Sequence, residues 1–332
     1  MFPEYLPLPA AVGIMRKALM PRTHARENAV KAVQFAEYGG PEVLKVVDVE
    51  EPHADPGQIR IAVHAAGVNA IDWKLRSGAL AAFMPVGFPA GVGMDASGVV
   101  DEVGDDVEGV AVGDEVFGTA TTGAAAQYAV LAEWARKPES LSFEEAAGYP
   151  VATETARRAL NLLPLESGQT LLVNGAAGGV GLAAVQFALA SGATVIGTAS
   201  EGNHEYLRSL GAVPTTYGPG LVGRVRELAT HGVDVAFDAV GSGVLPELIE
   251  LTGSAGKVIT IADNRAAEYG VRLTGGQGPG HAPEARAEAA ALFEQGKFRL
   301  PVSETFSLEN VAAAHAKSEQ GHVLGKFIVT VS

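Results

Sequence analysis

The sequence predicts an α/β protein in which a compact β-barrel-like unit precedes a parallel sheet covered by helices on both faces. Three observations support this fold class. Strand-like segments separated by turn residues fill the first third of the chain, short apolar strands alternate with helical segments from about Ser142, and one of those strands ends in a glycine-rich turn. The chain has 332 residues, 47% of them hydrophobic and 19% charged, which is enough for two hydrophobic cores.

The composition excludes several classes of function. The formal net charge is −14, from 38 acidic and 24 basic residues, and so acidic a surface repels nucleic acid. No apolar run reaches the roughly 18 residues needed to cross a bilayer, so no membrane partner is expected. The chain has no cysteine, which excludes disulfides, thiolate nucleophiles and cysteine-based zinc sites and fits a cytoplasmic protein.

The first 29 residues differ from the rest of the chain. They contain four prolines, and their basic residues come after the apolar part, which is the reverse of a secretory signal. We therefore expect residues 1–29 to form a flexible N-terminal extension. The segments "KAVQFAEY", "LKVVDVE" and "QIRIAVHAAGV" then predict strands divided by Gly-Gly-Pro and Asp-Pro-Gly turns, and Asp114 is expected in a turn beside Gly113.

The pattern changes near Ser142, where Glu145 follows at the spacing of a capping box and predicts a helix. "TLLVNG", "ATVIGTAS", "VDVAFDAVG" and "GKVITIAD" predict short parallel strands between helices, among them "TETARRALNLL" and "EARAEAAALFEQG". Residues 274–283 are glycine-rich and are expected to be mobile. The final "LGKFIVTV" predicts a strand that returns to the first unit. The predicted domains are therefore 30–150, completed by 298–332, with 151–297 between them.

The stretch "LLVNGAAGGVGLAAVQ" combines a strand, a turn of small residues and a helix. Such a turn binds dinucleotides, because small residues let the backbone approach a pyrophosphate and the helix N-terminus presents free N–H groups to it. The register departs from G-x-G-x-x-G at its first position, which is Ala176, so an ordinary strand-to-helix turn is the alternative. The predicted pyrophosphate contacts are Ala176, Ala177, Gly178, Gly179, Val180 and Gly181.

The next strand decides the choice of coenzyme. "ATVIGTAS" ends at Ser200, whose small hydroxyl leaves room for a 2′-phosphate and predicts NADPH, although Glu201 would favour NADH if it faced the ribose. The other candidate contacts of the coenzyme are Asn203, His204, Tyr217, Val240 and Lys326.

The segments "VNGAAGGVGLAAVQFA", "AAGVNAIDWKLRSG", "GMDASGVVDEVG" and "GDEVFG" resemble the medium-chain dehydrogenases/reductases. The chain is most similar to their zinc-independent quinone oxidoreductase and zeta-crystallin branch, over about residues 30–332. The resemblance implies a GroES-like β-barrel catalytic domain built from both ends of the chain, with a Rossmann domain, a doubly wound parallel sheet, between them. It also implies a homodimer that pairs edge strands, here through "GKVITIA".

The resemblance also implies which reaction is catalysed. The positions of the zinc ligands in the metal-dependent branch correspond to Asn69, Met94 and Val151, and none of these side chains replaces a thiolate or imidazole ligand. The interval 119–125, where a structural-zinc lobe would lie, has no cysteine, so no metal is expected. Without a Lewis acid, the expected reaction is hydride transfer from NADPH to a quinone or another conjugated carbonyl.

Four residues are candidates for catalysis. Asn69 matches an asparagine that lies beside the nicotinamide in the family and could donate a hydrogen bond to an oxyanion, and Thr155 matches a threonine near the nicotinamide ribose or carboxamide. Lys74 stands where several members of the family have tyrosine, and it could donate a proton, stabilise an enolate or lie at the surface. Trp73 could stack on a quinone or simply pack.

Other residues and functions complete the predictions. Asp72 and Asp95 are expected to be structural hydrogen-bonding residues, and the eight histidines, which show no metal-binding spacing, are expected at the surface or in packing. One alternative function is an enoyl or enone reductase acting on a biosynthetic intermediate, such as a polyketide. Another is a protein that binds NADPH without turnover.

Overall fold

A computed structural model describes residues 29–276 and 278–331. The predicted flexible extension lies outside the described residues, except that Ala29 already pairs with Glu50 in the first strand. None of the helices formed by the described residues has both the length and the apolar character that crossing a bilayer requires.

The strands, in chain order, are β1 (Ala29–Phe35), β2 (Lys45–Glu50), β3 (Ile59–Val68), β4 (Ala90–Gly91), β5 (Asp95–Val103), β6 (Glu115–Ala120), β7 (Tyr128–Arg136), β8 (Thr170–Asn174), β9 (Thr194–Thr198), β10 (Val213–Thr215), β11 (Val235–Asp238), β12 (Val258–Thr260), β13 (Arg272–Leu273), β14 (Val302–Ser307) and β15 (Lys326–Thr330). The helices are α1 (Ala70–Arg76), α2 (Phe143–Ala147), α3 (Pro150–Asn161), α4 (Gly179–Ala190), α5 (His204–Ser209), α6 (Leu221–Leu228), α7 (Leu245–Thr252), α8 (Ala285–Glu294) and α9 (Val311–Gln320).

The parallel sheet has the order β10-β9-β8-β11-β12-β13, and every neighbouring pair in it is parallel. Helices cover both of its faces. In β8, Leu171 and Val173 belong to the core that contains residues of α3, α4 and α8, whereas Leu172 belongs to the core that contains residues of α6 and α7. Because successive side chains of a strand point to opposite faces, strands buried on both sides are apolar throughout. The predicted doubly wound sheet of Rossmann type is thus confirmed.

The second large sheet has the order β14-β15-β3-β5-β6-β7, and β3 also pairs with β7, which closes it into a barrel. Its core includes Ile59, Ile61, Val100, Val116 and Leu131, all almost completely buried. A smaller sheet, with the order β2-β1-β4, packs beside it through the hydrogen bond from Val33 N to Ala125 O. At the end of the chain, β15 pairs antiparallel with β3, so residues more than 250 positions apart share one sheet.

Two expectations about particular elements need correction. The segment "GKVITIA" does not form the edge of the parallel sheet, because β12 lies between β11 and the two-residue strand β13. The helix after Ser142 has only half of a capping box. The Ser142 hydroxyl accepts a hydrogen bond from Glu145 N, but the Glu145 carboxylate accepts hydrogen bonds from Arg299 at 2.7 and 3.2 Å.

Candidate active site

The glycine-rich turn joins β8 to α4 at the carboxyl edge of the parallel sheet. Gly178 is the N-cap of α4, and Leu182 N donates the first helical bond to its carbonyl oxygen. A methyl group on Gly178 would approach only the Gly175 carbonyl oxygen, at 3.8 Å, so the space above the turn is open. Gly181 differs, because a methyl group there would lie 2.0 Å from that same oxygen. The turn is therefore closely packed at Gly181 and open at Gly178, where a pyrophosphate would need space.

A row of polar side chains crosses the same edge of the sheet. Thr198 Oγ1 donates to Asn174 Oδ1 at 2.7 Å, Asn174 Nδ2 donates to Asp238 Oδ1 at 2.9 Å, and Thr260 Oγ1 donates to Asp238 Oδ2 at 2.8 Å. Each of these residues ends its strand, and all are buried. This row was not predicted, although a polar residue at the end of each of four apolar strands was a usable signal in the sequence. The row ties the four strands together beneath the turn.

The candidate residues for the far end of the coenzyme lie after the two outer strands. Ser200 follows β9 and accepts a hydrogen bond from Asn203 Nδ2 at 3.2 Å, and His204 Nε2 lies 3.2 Å from the Ala199 carbonyl oxygen. Tyr217 follows β10, is about half exposed, and its hydroxyl lies 3.5 Å from Nδ1 of His322.

The segment before β15 lies directly against the glycine-rich turn. Gly325 N donates to the Ala177 carbonyl oxygen at 2.9 Å, and Gly325 forms a bridge with Gly178. The next side chain, Lys326, crosses above Gly179, where a methyl group would meet Lys326 Cδ at 2.7 Å. On the other side of the turn, Val240 covers Gly175. The end of the chain thus helps to build the proposed coenzyme site.

Lys326 reaches Asn69 and Asp95, and all three side chains are buried. Its Nζ donates to Asn69 Oδ1 at 2.5 Å and to Asp95 Oδ2 at 3.2 Å, while Asn69 Nδ2 donates to the same Asp95 oxygen at 2.8 Å. Because an ammonium group can only donate, it must face the oxygen of the Asn69 amide, and this contact determines the orientation of that amide. Asp95 also accepts a hydrogen bond from Val151 N at 2.8 Å. The result is a fully buried lysine–carboxylate pair around a fixed amide.

The candidate residues on α1 stand beside this cluster. Asp72 Oδ2 accepts a hydrogen bond from Asn69 N at 2.7 Å, and burial raises the pKa of Asp72 to about 7. The ammonium group of Lys74 lies 5.6 Å from the ring centroid of Trp73, and both side chains are partly buried. The cation placed against Asn69 is therefore Lys326, which the sequence analysis expected only as a coenzyme contact.

Thr155 lies on α3 and is buried. Its hydroxyl lies 3.4 Å from Nη2 of Arg158, and Nη1 of Arg158 donates to Thr274 Oγ1 at 2.7 Å. A buried arginine therefore joins α3 to the segment after β13. Arg158 was not among the predicted site residues, and nothing in its immediate sequence distinguishes it from the neighbouring Arg157.

The positions that correspond to zinc ligands in the metal-dependent branch carry no suitable donor set. Val151 contributes its backbone N–H to Asp95, and Met94 contributes its carbonyl oxygen to Ala120 N. Within residues 29–276 and 278–331, no group of three or more histidine, cysteine, aspartate or glutamate side chains could hold a metal ion. The residues present do not fit a zinc ion.

Two family models match the chain. The model described as "Alcohol dehydrogenase GroES-like domain" matches residues 55–139, and the one described as "Zinc-binding dehydrogenase" matches residues 220–329. The quinone oxidoreductase of Pseudomonas aeruginosa is 32% identical over 90% of this chain and 99% of its own length. A spectinabilin polyketide synthase system protein, NorB, from Streptomyces orinoci is 34% identical over 97% of this chain, which spans only 15% of that much longer protein.

Solved structures of quinone oxidoreductases and of an enoyl reductase are also similar to this chain. The quinone oxidoreductase from Coxiella burnetii is 33% identical, with a TM-score of 0.77 over 92% of this chain and 100% of its own. A mycobacterial protein in complex with NADPH is 28% identical, with a TM-score of 0.78 over 91% of this chain and 99% of its own. The CurK enoyl reductase is 26% identical, with a TM-score of 0.80 over the same shares of the two chains.

The two sheets, the turn and these relatives define the class of protein as an oxidoreductase with an NAD(P)-binding fold. The chain belongs to the medium-chain dehydrogenase/reductase superfamily, within its quinone oxidoreductase family.

Proposed function

We propose that this protein reduces quinones or other conjugated carbonyls with NADPH, through the buried cluster of Asn69, Asp95 and Lys326. The observation that carries the proposal is the position of this cluster. Lys326 passes above Gly179 of the glycine-rich turn and ends on the Asn69 amide, 2.5 Å from its oxygen. A fixed amide and a buried ammonium group beside a coenzyme would stabilise negative charge that develops on an acceptor oxygen.

Asn69 is the proposed contact of the acceptor. Its amide oxygen accepts from Lys326 and one of its N–H groups donates to Asp95. We assign the second N–H of Asn69 Nδ2 to the carbonyl oxygen of the acceptor. Lys326 increases the donor strength of this amide, because its charge withdraws electron density from the amide oxygen in a low-dielectric site.

The coenzyme supplies a hydride, and one proton from solvent or a side chain completes the reduction of a quinone to a hydroquinone. The proposed pyrophosphate site is the backbone from Ala176 to Gly181, at the N-terminus of α4. Thr155 is proposed to contact the nicotinamide half. Lys74 and Trp73, which lie on α1 beside the Asn69 cluster, remain predicted contacts of the acceptor.

The proposed coenzyme is NADPH rather than NADH. Ser200 lies after β9, where a dinucleotide's ribose hydroxyls bind in this type of fold, and Asn203 holds its hydroxyl at 3.2 Å. A short hydroxyl side chain leaves space for a 2′-phosphate, which Tyr217 could also contact. One structural relative, the mycobacterial protein solved in complex with NADPH, supports the same choice.

The experiment is a steady-state assay of coenzyme oxidation with a panel of acceptors. We expect turnover with 1,4-naphthoquinone or 9,10-phenanthrenequinone, and a kcat/KM for NADPH at least about 10-fold above that for NADH, since a 2′-phosphate contact contributes more than about 1.4 kcal/mol. Purified protein that binds neither coenzyme, or that prefers NADH, would contradict the proposal.

A second candidate function is enoyl reduction on a biosynthetic intermediate. It is favoured by the likeness to NorB and to the CurK enoyl reductase, and the same Asn69 donor would serve an enoyl thioester. Simple enones and an enoyl thioester therefore belong in the panel, and activity with these but not with quinones would favour this candidate.

The remaining proposals concern the assembly and the domains. We propose a cytoplasmic homodimer, in which the exposed Leu273 on the edge strand β13 replaces the predicted "GKVITIA" contact. We also propose the domain boundaries of the sequence analysis, because β14 and β15 lie in the sheet of the first unit.

A further inference from the structure

A charged cluster lies where α3, β7, α8 and the segment after β13 meet. His281 is at its centre. Its Nε2 lies 2.9 Å from Glu133 Oε1 on β7, and its Nδ1 lies 3.0 Å from Glu154 Oε1 on α3. The cluster therefore joins the barrel sheet, which contains β7, to a helix of the parallel-sheet unit.

The two contacts of His281 determine its protonation. A neutral imidazole has one N–H and one lone pair, so it would turn a lone pair toward one of the two carboxylates, whereas an imidazolium donates to both. Burial by itself lowers the pKa of His281, but the hydrogen bonds and charges of Glu133 and Glu154 outweigh this effect and raise the pKa above its ordinary value.

Both carboxylates have an arginine of their own. Arg286 Nη2 lies 2.7 Å from Glu133 Oε2 and also donates to Thr119 Oγ1 at 2.7 Å. Arg158 Nε donates to both oxygens of Glu154, at 3.0 and 3.3 Å. The charges facing His281 are thus two carboxylates, each neutralised by a buried guanidinium, and the imidazolium is what holds the two pairs together.

The cluster reaches the proposed coenzyme site through Arg158. Beyond Glu154, this guanidinium donates to Thr274 Oγ1 at 2.7 Å and contacts Thr155 Oγ1 at 3.4 Å. The segment that carries His281 is also packed on α3, because a methyl group on Gly280 would lie 2.9 Å from the Arg158 carbonyl oxygen. A shift of Glu154 therefore changes the position of the guanidinium that orients Thr155.

We propose that His281 is a positioning residue for the coenzyme site: its imidazolium joins Glu133 to Glu154 and thereby holds Arg158, Thr155 and Thr274 where the coenzyme binds. When the ring loses its proton, one of the two contacts becomes repulsive and the coenzyme binds more weakly. This inference rests on the proposed coenzyme site at Thr155.

The test is the dissociation constant of NADPH, measured by fluorescence titration between pH 7 and pH 9.5. For the wild-type protein we expect the dissociation constant to rise about 10-fold across this range, which corresponds to a shift of about one unit in the pKa of His281 on coenzyme binding. Asp72, whose pKa is about 7, titrates in every variant and cancels in the comparison.

Glu133→Gln is the decisive variant. The glutamine oxygen can still accept from Arg286, and its amide N–H can donate to the lone pair of a neutral His281, so no hydrogen bond is lost at high pH. We expect its dissociation constant to change less than about twofold over the same range. Glu304→Gln, which alters an exposed partner of Lys317, is the matched control and should behave like the wild-type protein.

A wild-type dissociation constant that does not vary with pH, or the same increase in Glu133→Gln, would overturn the inference. Thermal melting of each variant at each pH separates this effect from unfolding. If Glu133→Gln does not fold, His281→Gln should instead bind NADPH with the weaker, pH-independent affinity of the wild-type protein at high pH. A wild-type protein that binds no NADPH at any pH contradicts the proposed function itself.

Discussion

Single side chains decide the chemistry around Asn69. Its amide is held from one side by an ammonium group and from the other by a carboxylate, and all three groups are buried. Each charged group of the cluster has a partner, and the amide of Asn69 is held in one orientation, as the proposed donor to an acceptor oxygen requires. Asn69 could be named from the sequence, but its contact with Lys326 could not, because the two residues are 257 positions apart.

Asn69→Ala tests this donor. The substitution leaves Lys326 beside Asp95, so no buried charge loses its partner, and we expect the protein to fold. We expect kcat with the best quinone acceptor to fall by about 10²-fold, the usual effect of removing one donor to a developing oxyanion, while the dissociation constant of NADPH changes less than about threefold. Asn161→Ala, at the exposed end of α3, is the matched control. A kcat within about twofold of the wild-type value would place the donor elsewhere.

At the scale of elements, the turn between β8 and α4 has two kinds of glycine. Gly178 faces open space, whereas Gly181 touches the backbone of the turn. The sequence pattern predicts small residues at both positions but does not distinguish their roles, because the close approach of Gly181 to Gly175 arises only when the turn is folded.

Gly178→Val and Gly181→Ala should therefore have different effects on coenzyme binding and on thermal stability. We expect Gly178→Val to melt near the wild-type temperature but to bind NADPH at least about 10-fold more weakly, because its side chain would fill the proposed pyrophosphate site. Gly181→Ala should lower the melting temperature as well, because its methyl group would lie 2.0 Å from the Gly175 oxygen. Gly223→Ala, on α6 with open space around it, should be stabilising by about 0.5–1 kcal/mol. Equal melting temperatures for the first two variants would contradict this assignment.

For the whole molecule, two buried groups make opposite contributions to the pH dependence of stability. Burial and nearby Arg76 lower the pKa of His315, on α9, to about 4. The contribution of His315 to the stability of the folded state is fully present above about pH 6.5. It is lost as the pH falls toward 4, because the unfolded state then binds the extra proton. Burial raises the pKa of Asp72 to about 7, so between about pH 4 and pH 7 the folded state binds the extra proton and stability falls as the pH rises.

The variant His315→Leu should reveal the contribution of Asp72 to the pH dependence of stability. Between pH 7 and pH 5, each group changes the free energy of unfolding by about 2 kcal/mol and in opposite directions, so the wild-type value should change little on their account. In His315→Leu, the contribution of Asp72 is no longer offset. The free energy of unfolding, measured by urea titration at pH 5 and at pH 7, should therefore be higher at pH 5, and this pH 5 minus pH 7 difference should exceed that of the wild-type protein by about 2 kcal/mol. His231→Leu, at an exposed histidine, should match the wild-type protein. No difference between the two variants would show that folding does not lower the pKa of His315.

The sequence alone determined the features of this protein that depend on neighbouring residues. Short apolar strands between helices specify the doubly wound sheet, and small residues between β8 and α4 specify the turn, because periodicity and side-chain size act over a few positions. Tertiary structure alone decided that Lys326 meets Asn69, that four strand ends join in one polar row, and that His281 lies between two carboxylates. Buried polar groups need partners, and the fold, not the local sequence, brings those partners within hydrogen-bond distance.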